Sequence, residues 1–119
     1  PNMKRLLPCS ETIAPELSYA AHSAPLGIRF IPESFSSTYA GDLLVALHGA
    51  SVIDELRGYK IVRIDMQDGG PGMLYDFISG FTRGKVILGR PVDVIFDKSG
   101  NLFVTDDYAG VVHEVERIQ

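Results

Sequence analysis

The sequence predicts an all-β chain made of two copies of one antiparallel unit, and three observations carry that prediction. Its apolar residues fall in short runs, with no long stripe of 3.6-residue period. Val, Ile, Phe and Tyr dominate those runs, and Gly, Pro, Asp and Ser clusters separate them. The order of runs and turns then recurs once along the chain.

Residues 1–22 contain Pro1, Pro8 and Pro15 and read as an extended N-terminal arm, with Met3 to Leu7 a candidate short strand. The expected strands that follow are Gly27 to Ile31, Asp42 to Leu47, Tyr59 to Asp65 and Leu74 to Ile78. After them come Val92 to Phe96, Leu102 to Thr105 and Val111 to Val115. Turn chemistry joins them: Tyr39-Ala40-Gly41-Asp42, Asp68-Gly69-Gly70-Pro71-Gly72 and Asp97-Lys98-Ser99-Gly100-Asn101. The last is the clearest hairpin signal, with Gly100 available for positive φ. Ser51 to Arg57 reads as one helical turn or a long loop, because so short a segment does not stand as an independent helix.

The repeat sets Pro25-Leu-Gly-Ile-Arg-Phe, Gly41-Asp-Leu-Leu-Val-Ala and Ile61-Val-Arg-Ile against a second series. That series is Pro91-Val-Asp-Val-Ile-Phe, Gly100-Asn-Leu-Phe-Val-Thr and Val112-His-Glu-Val. From Pro25 to Pro91 the spacing exceeds the ~40 to 50 residues of common propeller repeats, and the Ser51 to Arg57 insertion accounts for the excess. Strand, Gly-turn, strand, loop, strand is the layout of a propeller blade, which cannot bury both its faces alone. The expected fold is therefore two four-stranded antiparallel β-propeller blades, with a small β-sandwich as the alternative. Residues 23–90 form the first unit and 91–119 the second, in one structural domain with the arm. The second copy stops after its third strand. An unpaired edge invites association, so the arm or another chain is expected to supply the fourth.

Composition narrows the function. Hydrophobic residues make up 45% and charged residues 22%, an ordinary globular balance over 119 residues. With a net charge of −4 and no basic run longer than Lys4-Arg5, the chain lacks the footprint of a nucleic-acid binder or of a protein that docks on anionic membranes. No apolar stretch approaches the ~18 residues of a membrane span. Cys9 is the single cysteine, which excludes an intrachain disulfide and a Cys-based zinc site. No leader-like segment is seen, but the chain opens on Pro1 rather than Met, so that observation is uninformative.

The ordered motifs carry a resemblance. His22-Ser-Ala-Pro-Leu-Gly-Ile-Arg-Phe, Gly41-Asp-Leu-Leu-Val-Ala-Leu-His-Gly and Gly58-Tyr-Lys-Ile-Val-Arg-Ile follow one another as they do in a known enzyme family. So do Asp76-Phe-Ile-Ser-Gly-Phe and the run Gly89-Arg-Pro-Val-Asp-Val-Ile-Phe-Asp-Lys-Ser-Gly-Asn-Leu-Phe-Val-Thr-Asp-Asp. Over residues 17–117 the chain resembles the last two blades of the soluble glucose/sorbosone dehydrogenases that use pyrroloquinoline quinone (PQQ). That resemblance implies a six-bladed propeller with PQQ at the mouth of its channel, calcium polarising the cofactor, and oxidation of an aldose hydroxyl or aldehyde hydrate. It also implies a periplasmic or secreted location. General-base catalysis beside a cofactor that does the redox step fits such chemistry.

Three residues are the candidate cofactor-binding set by this resemblance. His48 stands where the family has a His or Lys against the cofactor, the alternative being a structural histidine at a strand end. Arg90 stands where the family has an arginine facing the quinone's carboxylates, a role that suits the guanidinium fork; its alternative is a solvated charge. His22 opens the first unit and either lines the same mouth or caps a turn. His113 reads as structural or exposed, and Asp106-Asp107 as turn chemistry before a calcium site. Two departures matter. The family's His-Gly-Ser-Trp-Asn-Arg is replaced here by His48-Gly-Ala-Ser-Val-Ile-Asp, and no stretch matches the earlier blade that carries the catalytic histidine. Three readings follow: a fragment or subunit contributing part of a quinone pocket in a sugar dehydrogenase, a non-catalytic module that self-associates, or a binder of a sugar or similar small ligand. On the second reading, a homotrimer would complete six blades.

Overall fold

The computed structural model describes residues 7–50 and 56–116. The candidate strand at Met3 to Leu7 lies outside them except for Leu7, and the Ser51 to Arg57 segment except for Leu56 and Arg57. Among the described residues the fold is all-β, with two single-turn 3₁₀ segments and no α-helix. Strands β1 (Pro25–Phe30), β2 (Leu43–Leu47), β3 (Lys60–Ile64) and β4 (Leu74–Ile78) form one antiparallel sheet in chain order. A small hairpin, β5 (Thr82–Arg83) with β6 (Val86–Ile87), leads into a second sheet. That sheet holds β7 (Pro91–Phe96), β8 (Leu102–Asp106) and β9 (Val111–Val115), again antiparallel and in order.

All seven strands expected from the sequence are present, shifted by at most two residues at their starts and one at their ends. The β5–β6 hairpin was not expected. The second sheet has three strands among the described residues, where the repeat stops.

Register makes the repeat literal. Phe30 faces Leu43, which faces Ile64; Phe96 faces Leu102, which faces Val115. Each first strand carries a register shift just after its opening proline, and there Pro25 faces Leu47 while Pro91 faces Asp106. His48 and Asp107 thus hold the same place in the two units, one residue beyond the second strand.

The two sheets stack face to face. Leu44, Ala46, Tyr59 and Ile61 of the first pack with Val94, Leu102 and Val104 of the second, and Ile31, Phe35 and Phe81 close the ends. Burying these side chains is the main driving force that holds the two sheets together. At the seam of the inner strands a Cβ on Gly27 would lie 2.5 Å from the Asp93 Cα, so only glycine lets β1 and β7 approach this closely. The opposite face of the first sheet (Val45, Leu47, Val62, Ile64) is also buried, and Leu17 and Tyr19 of the arm pack against it with Met66.

A polar anchor fixes the β1–β2 turn. Asp42 is buried and accepts the Met66 N–H at 2.9 Å, the Gln67 Nε2 at 3.1 Å and a bond from the Arg63 guanidinium. The rings of Tyr39 and Tyr75 hold that guanidinium, at 4.4 and 4.7 Å from their centroids. Burial alone would raise the Asp42 pKa, but the bonds from Met66, Gln67 and Arg63 and the arginine charge outweigh it and set the carboxyl below its ordinary value.

Candidate functional site

The ends of β2 and β8 and the start of β7 converge at one edge of the sheet pair. Here the chain after β2 is pinned from three sides. His48 and Gly49 donate their N–H groups to the Ala24 and Ser23 carbonyls, each at 3.0 Å, and Ala50 donates to the Arg57 carbonyl at 3.0 Å. Gly58, at φ +84°, lies so close that a Cβ there would sit 2.7 Å from both the Gly49 Cα and the Ser23 oxygen. The Tyr59 hydroxyl donates to the Ala50 carbonyl from within the core.

Arg90 precedes β7 and reaches across to this loop. Its Nε donates to the His48 carbonyl at 3.1 Å, and Nη2 to the Gly49 carbonyl at 2.8 Å and the Ala50 carbonyl at 3.4 Å. Its guanidinium carbon lies 5.7 Å from the Tyr59 ring centroid. Nη1 has no hydrogen-bond partner among the described residues. The His48 ring is largely buried, and its Nε2 lies 2.9 Å from the exposed Asp107 Oδ1. Since an ionised carboxylate only accepts, Nε2 is the donor and Nδ1 is the nitrogen left for a ligand.

Asp106 points the other way, into the core. It accepts the N–H groups of Arg90 and Ala109, each at 2.9 Å, and faces His113 Nε2 at 3.1 Å. Burial alone would raise its pKa; the Ala109 and Arg90 amides and His113 outweigh that and hold it below the ordinary carboxylate value. One dipeptide therefore has two tasks: Asp106 fixes the backbone that launches Arg90, and Asp107 fixes the imidazole of His48.

The structure brings His48 and Arg90 together. It places His22 in the adjoining turn at φ 67°, exposed and without a side-chain hydrogen bond among the described residues. His113 is half-exposed and bound to Asp106, with Phe81 edge-on to its ring at 5.8 Å. Asp107 as the partner of His48, and Tyr59 beneath Arg90, were missed from sequence. The equivalence of His48 with Asp107 in the repeat is the signal that could have placed them at one level.

As a test of fit, a polycarboxylate ring such as PQQ requires cationic or N–H donors. Arg90 Nη1 and the Arg90 charge provide one rim of such a site, so Arg90 fits part of it, whereas His48 Nδ1, with the ring proton on Nε2, can only accept a hydrogen bond there. No group of three or more His, Cys, Asp or Glu side chains converges on a metal position among the described residues. No helix among them is long and apolar enough to cross a membrane.

Known proteins share the fold of this chain. An uncharacterised protein of Borreliella burgdorferi is 34% identical over 99 residues, covering 80% of this chain and 26% of the relative. The PQQ domain of pyranose dehydrogenase from Coprinopsis cinerea, in its holo form, superposes with a TM-score of 0.56 at 27% identity, covering 81% of this chain and 27% of that one. A Trichoderma reesei carbohydrate-active enzyme of family AA12 matches at TM-score 0.60 and 22% identity in its iodide structure, covering 77% of this chain and 24% of that one, and shows the fold alone. The chain thus spans about a quarter of the length of these proteins. At the coarse level of a PQQ-dependent dehydrogenase-like propeller domain, the expected likeness holds. The TrAA12-like family model matches residues 7–117, and the chain belongs to that family.

Proposed function

We propose that this chain forms one wall of a quinone site in a sugar-oxidising propeller, with His48 and Arg90 turned to the cofactor and His22 at the rim. The observation that carries the proposal is the convergence of Arg90 and the Asp107-bound His48 at one edge of the two blades. PQQ, when bound, supplies the two-electron oxidation of a sugar hydroxyl. This chain's own residues do the holding. Arg90 sets the loop from His48 to Ala50 by its carbonyls and offers its remaining N–H groups and its charge to a carboxylate. His48, its ring fixed by Asp107, offers Nδ1 as an acceptor to a cofactor or substrate N–H or O–H group. The arm and the buried core keep water from the strands behind them. Proton removal from the sugar falls to a base outside these blades, and calcium, on this reading, comes with the cofactor. A periplasmic or secreted location belongs to the same proposal.

Titrating PQQ into the protein with and without calcium tests it, read by the cofactor's absorbance and by thermal shift. Saturable binding that Arg90→Gln weakens is the expected result. No binding and no thermal shift under either condition would refute the reading. Aldose oxidation with a dye acceptor, run alongside, reports whether these blades alone turn over; without the base they should not.

A second reading has its own observation. Ile28 and Phe30 on the outer face of the first sheet are 55% and 59% exposed, and Ile95 and Val112 on that of the second are 51% and 62% exposed. Apolar surface at both ends of a two-blade stack favours head-to-tail association, in which three copies close a six-bladed ring. Light scattering should then give a trimer; a monodisperse monomer would refute closure.

A further inference from the structure

We propose that His48 meets the carboxylates of the quinone only as an imidazolium, so that cofactor binding takes up one proton and weakens as pH rises. This rests on the quinone site proposed above and adds a regulation to it.

The starting point is a mismatch. With Nε2 donating to Asp107 Oδ1 at 2.9 Å, the neutral ring presents only a lone pair at Nδ1. The ionised carboxylates of a quinone cofactor also only accept. Lone pair would face lone pair, beside an Arg90 that suits the same ligand. A second proton removes the conflict, because the imidazolium donates from both nitrogens, one to Asp107 and one outward.

The atoms concerned are open to a ligand. Among the described residues no buried side-chain nitrogen or oxygen lacks a hydrogen-bond partner. His48 Nδ1 and Arg90 Nη1 have no partner there, so both atoms reach the surface. The His48 side chain as a whole is only 17% exposed. Asp107 decides which nitrogen is left for the ligand, and the bond from the His48 N–H to the Ala24 carbonyl fixes the base of the side chain.

The surrounding charges set the direction. Asp107, after β8, favours an imidazolium, and Arg90, before β7, opposes it. The other groups nearby are engaged elsewhere or exposed. Lys60, opposite Leu47 at the end of β2, is paired with Asp76 at 2.6 Å, and Asp106 is turned to the core. Arg57 joins the loop through its carbonyl, the Tyr59 hydroxyl is bonded to Ala50, and His22 is exposed in the adjoining turn. Asp107 and Arg90 thus offset each other. A polycarboxylate adds several negative charges against the one guanidinium and tips the balance toward the imidazolium. Arginine is charged at every working pH, so the proton is taken up at His48.

The test titrates PQQ into the full protein at fixed calcium, from about pH 6 to about pH 8.5, followed by cofactor absorbance. Imidazole ¹⁵N spectra, assigned with His48→Gln, report the ring directly. Affinity should fall by about tenfold or more across that range, at up to about tenfold per unit for one coupled proton. Adding PQQ near neutral pH should convert Nδ1 of His48 from unprotonated to protonated. His48→Lys, whose ammonium stays charged throughout, should bind equally at both ends of the range; His48→Gln should bind weakly and equally. Binding to the unaltered protein that ignores pH would overturn the proposal and leave the quinone site standing. An Nδ1 that stays unprotonated in the complex would do the same, since it would then accept from a cofactor N–H. Absence of binding at every pH, by the unaltered protein and by His48→Lys alike, would overturn the quinone site and this inference with it.

Discussion

Arg90 shows how a residue can be read correctly in position and incompletely in role. The motif Gly-Arg-Pro-Val-Asp put a guanidinium before an inner strand; the sequence held no sign that its fork would close on the carbonyls of His48 and Gly49. Lysine keeps the charge and loses the fork. Arg90→Lys should therefore destabilise the protein by about 1.5 to 3 kcal/mol, the usual value of hydrogen bonds to charged groups, measured by urea denaturation. Asp42 and Asp106 were legible only as turn residues, because burial is a property of the packed sheets. Both carboxyls have folded-state pKa values below the ordinary value, so the stability they confer is complete above the unfolded-chain pKa of about 4. It fades as pH falls through the depressed folded values. Urea midpoints measured from neutral to strongly acid pH should show a fall on the acid side, and Asp106→Asn should flatten it.

At the scale of elements, short apolar runs rich in Val, Ile, Phe and Tyr between turn clusters were enough to locate seven strands, since a pleated, half-buried surface leaves that trace. The β5–β6 hairpin left none. Its strands are two residues each, too short for a period of two to show. The arm was equally opaque: Leu17 and Tyr19 stand in proline-punctuated text without periodicity, and their task appears only once the face of Val45 and Val62 is seen beneath them. Burial raises the pKa of the Tyr19 hydroxyl, in keeping with that position. Leu17→Asp should release the arm and increase the binding of a hydrophobic dye while the two-sheet core persists. Gly27 marks the opposite limit, where space rather than cover is scarce. Gly27→Ala would force its Cβ into the Asp93 backbone and should lower stability by about 1 to 3 kcal/mol, as overpacked cores do; thermal unfolding measures it.

For the molecule as a whole, the repeat was the most legible feature, because the turn glycines and opening prolines recur with it. Which faces remain open was not legible, since an isoleucine in a strand reads the same whether a neighbour covers it or water does. Replacing Phe30 and Ile95 with serine should reduce concentration-dependent sedimentation and leave the melting temperature almost unchanged, as exposed substitutions generally do. The bond between His48 and Asp107 has a last implication, for descent. The two residues hold one position in successive copies and touch each other across the seam. An ancestral tandem of identical blades would have set like against like there, two imidazoles or two carboxylates. An unlike His–Asp pair requires that the copies differ at this position, so each blade carries half of a lock, and exchanging His48 with Asp107 should restore what either single change breaks.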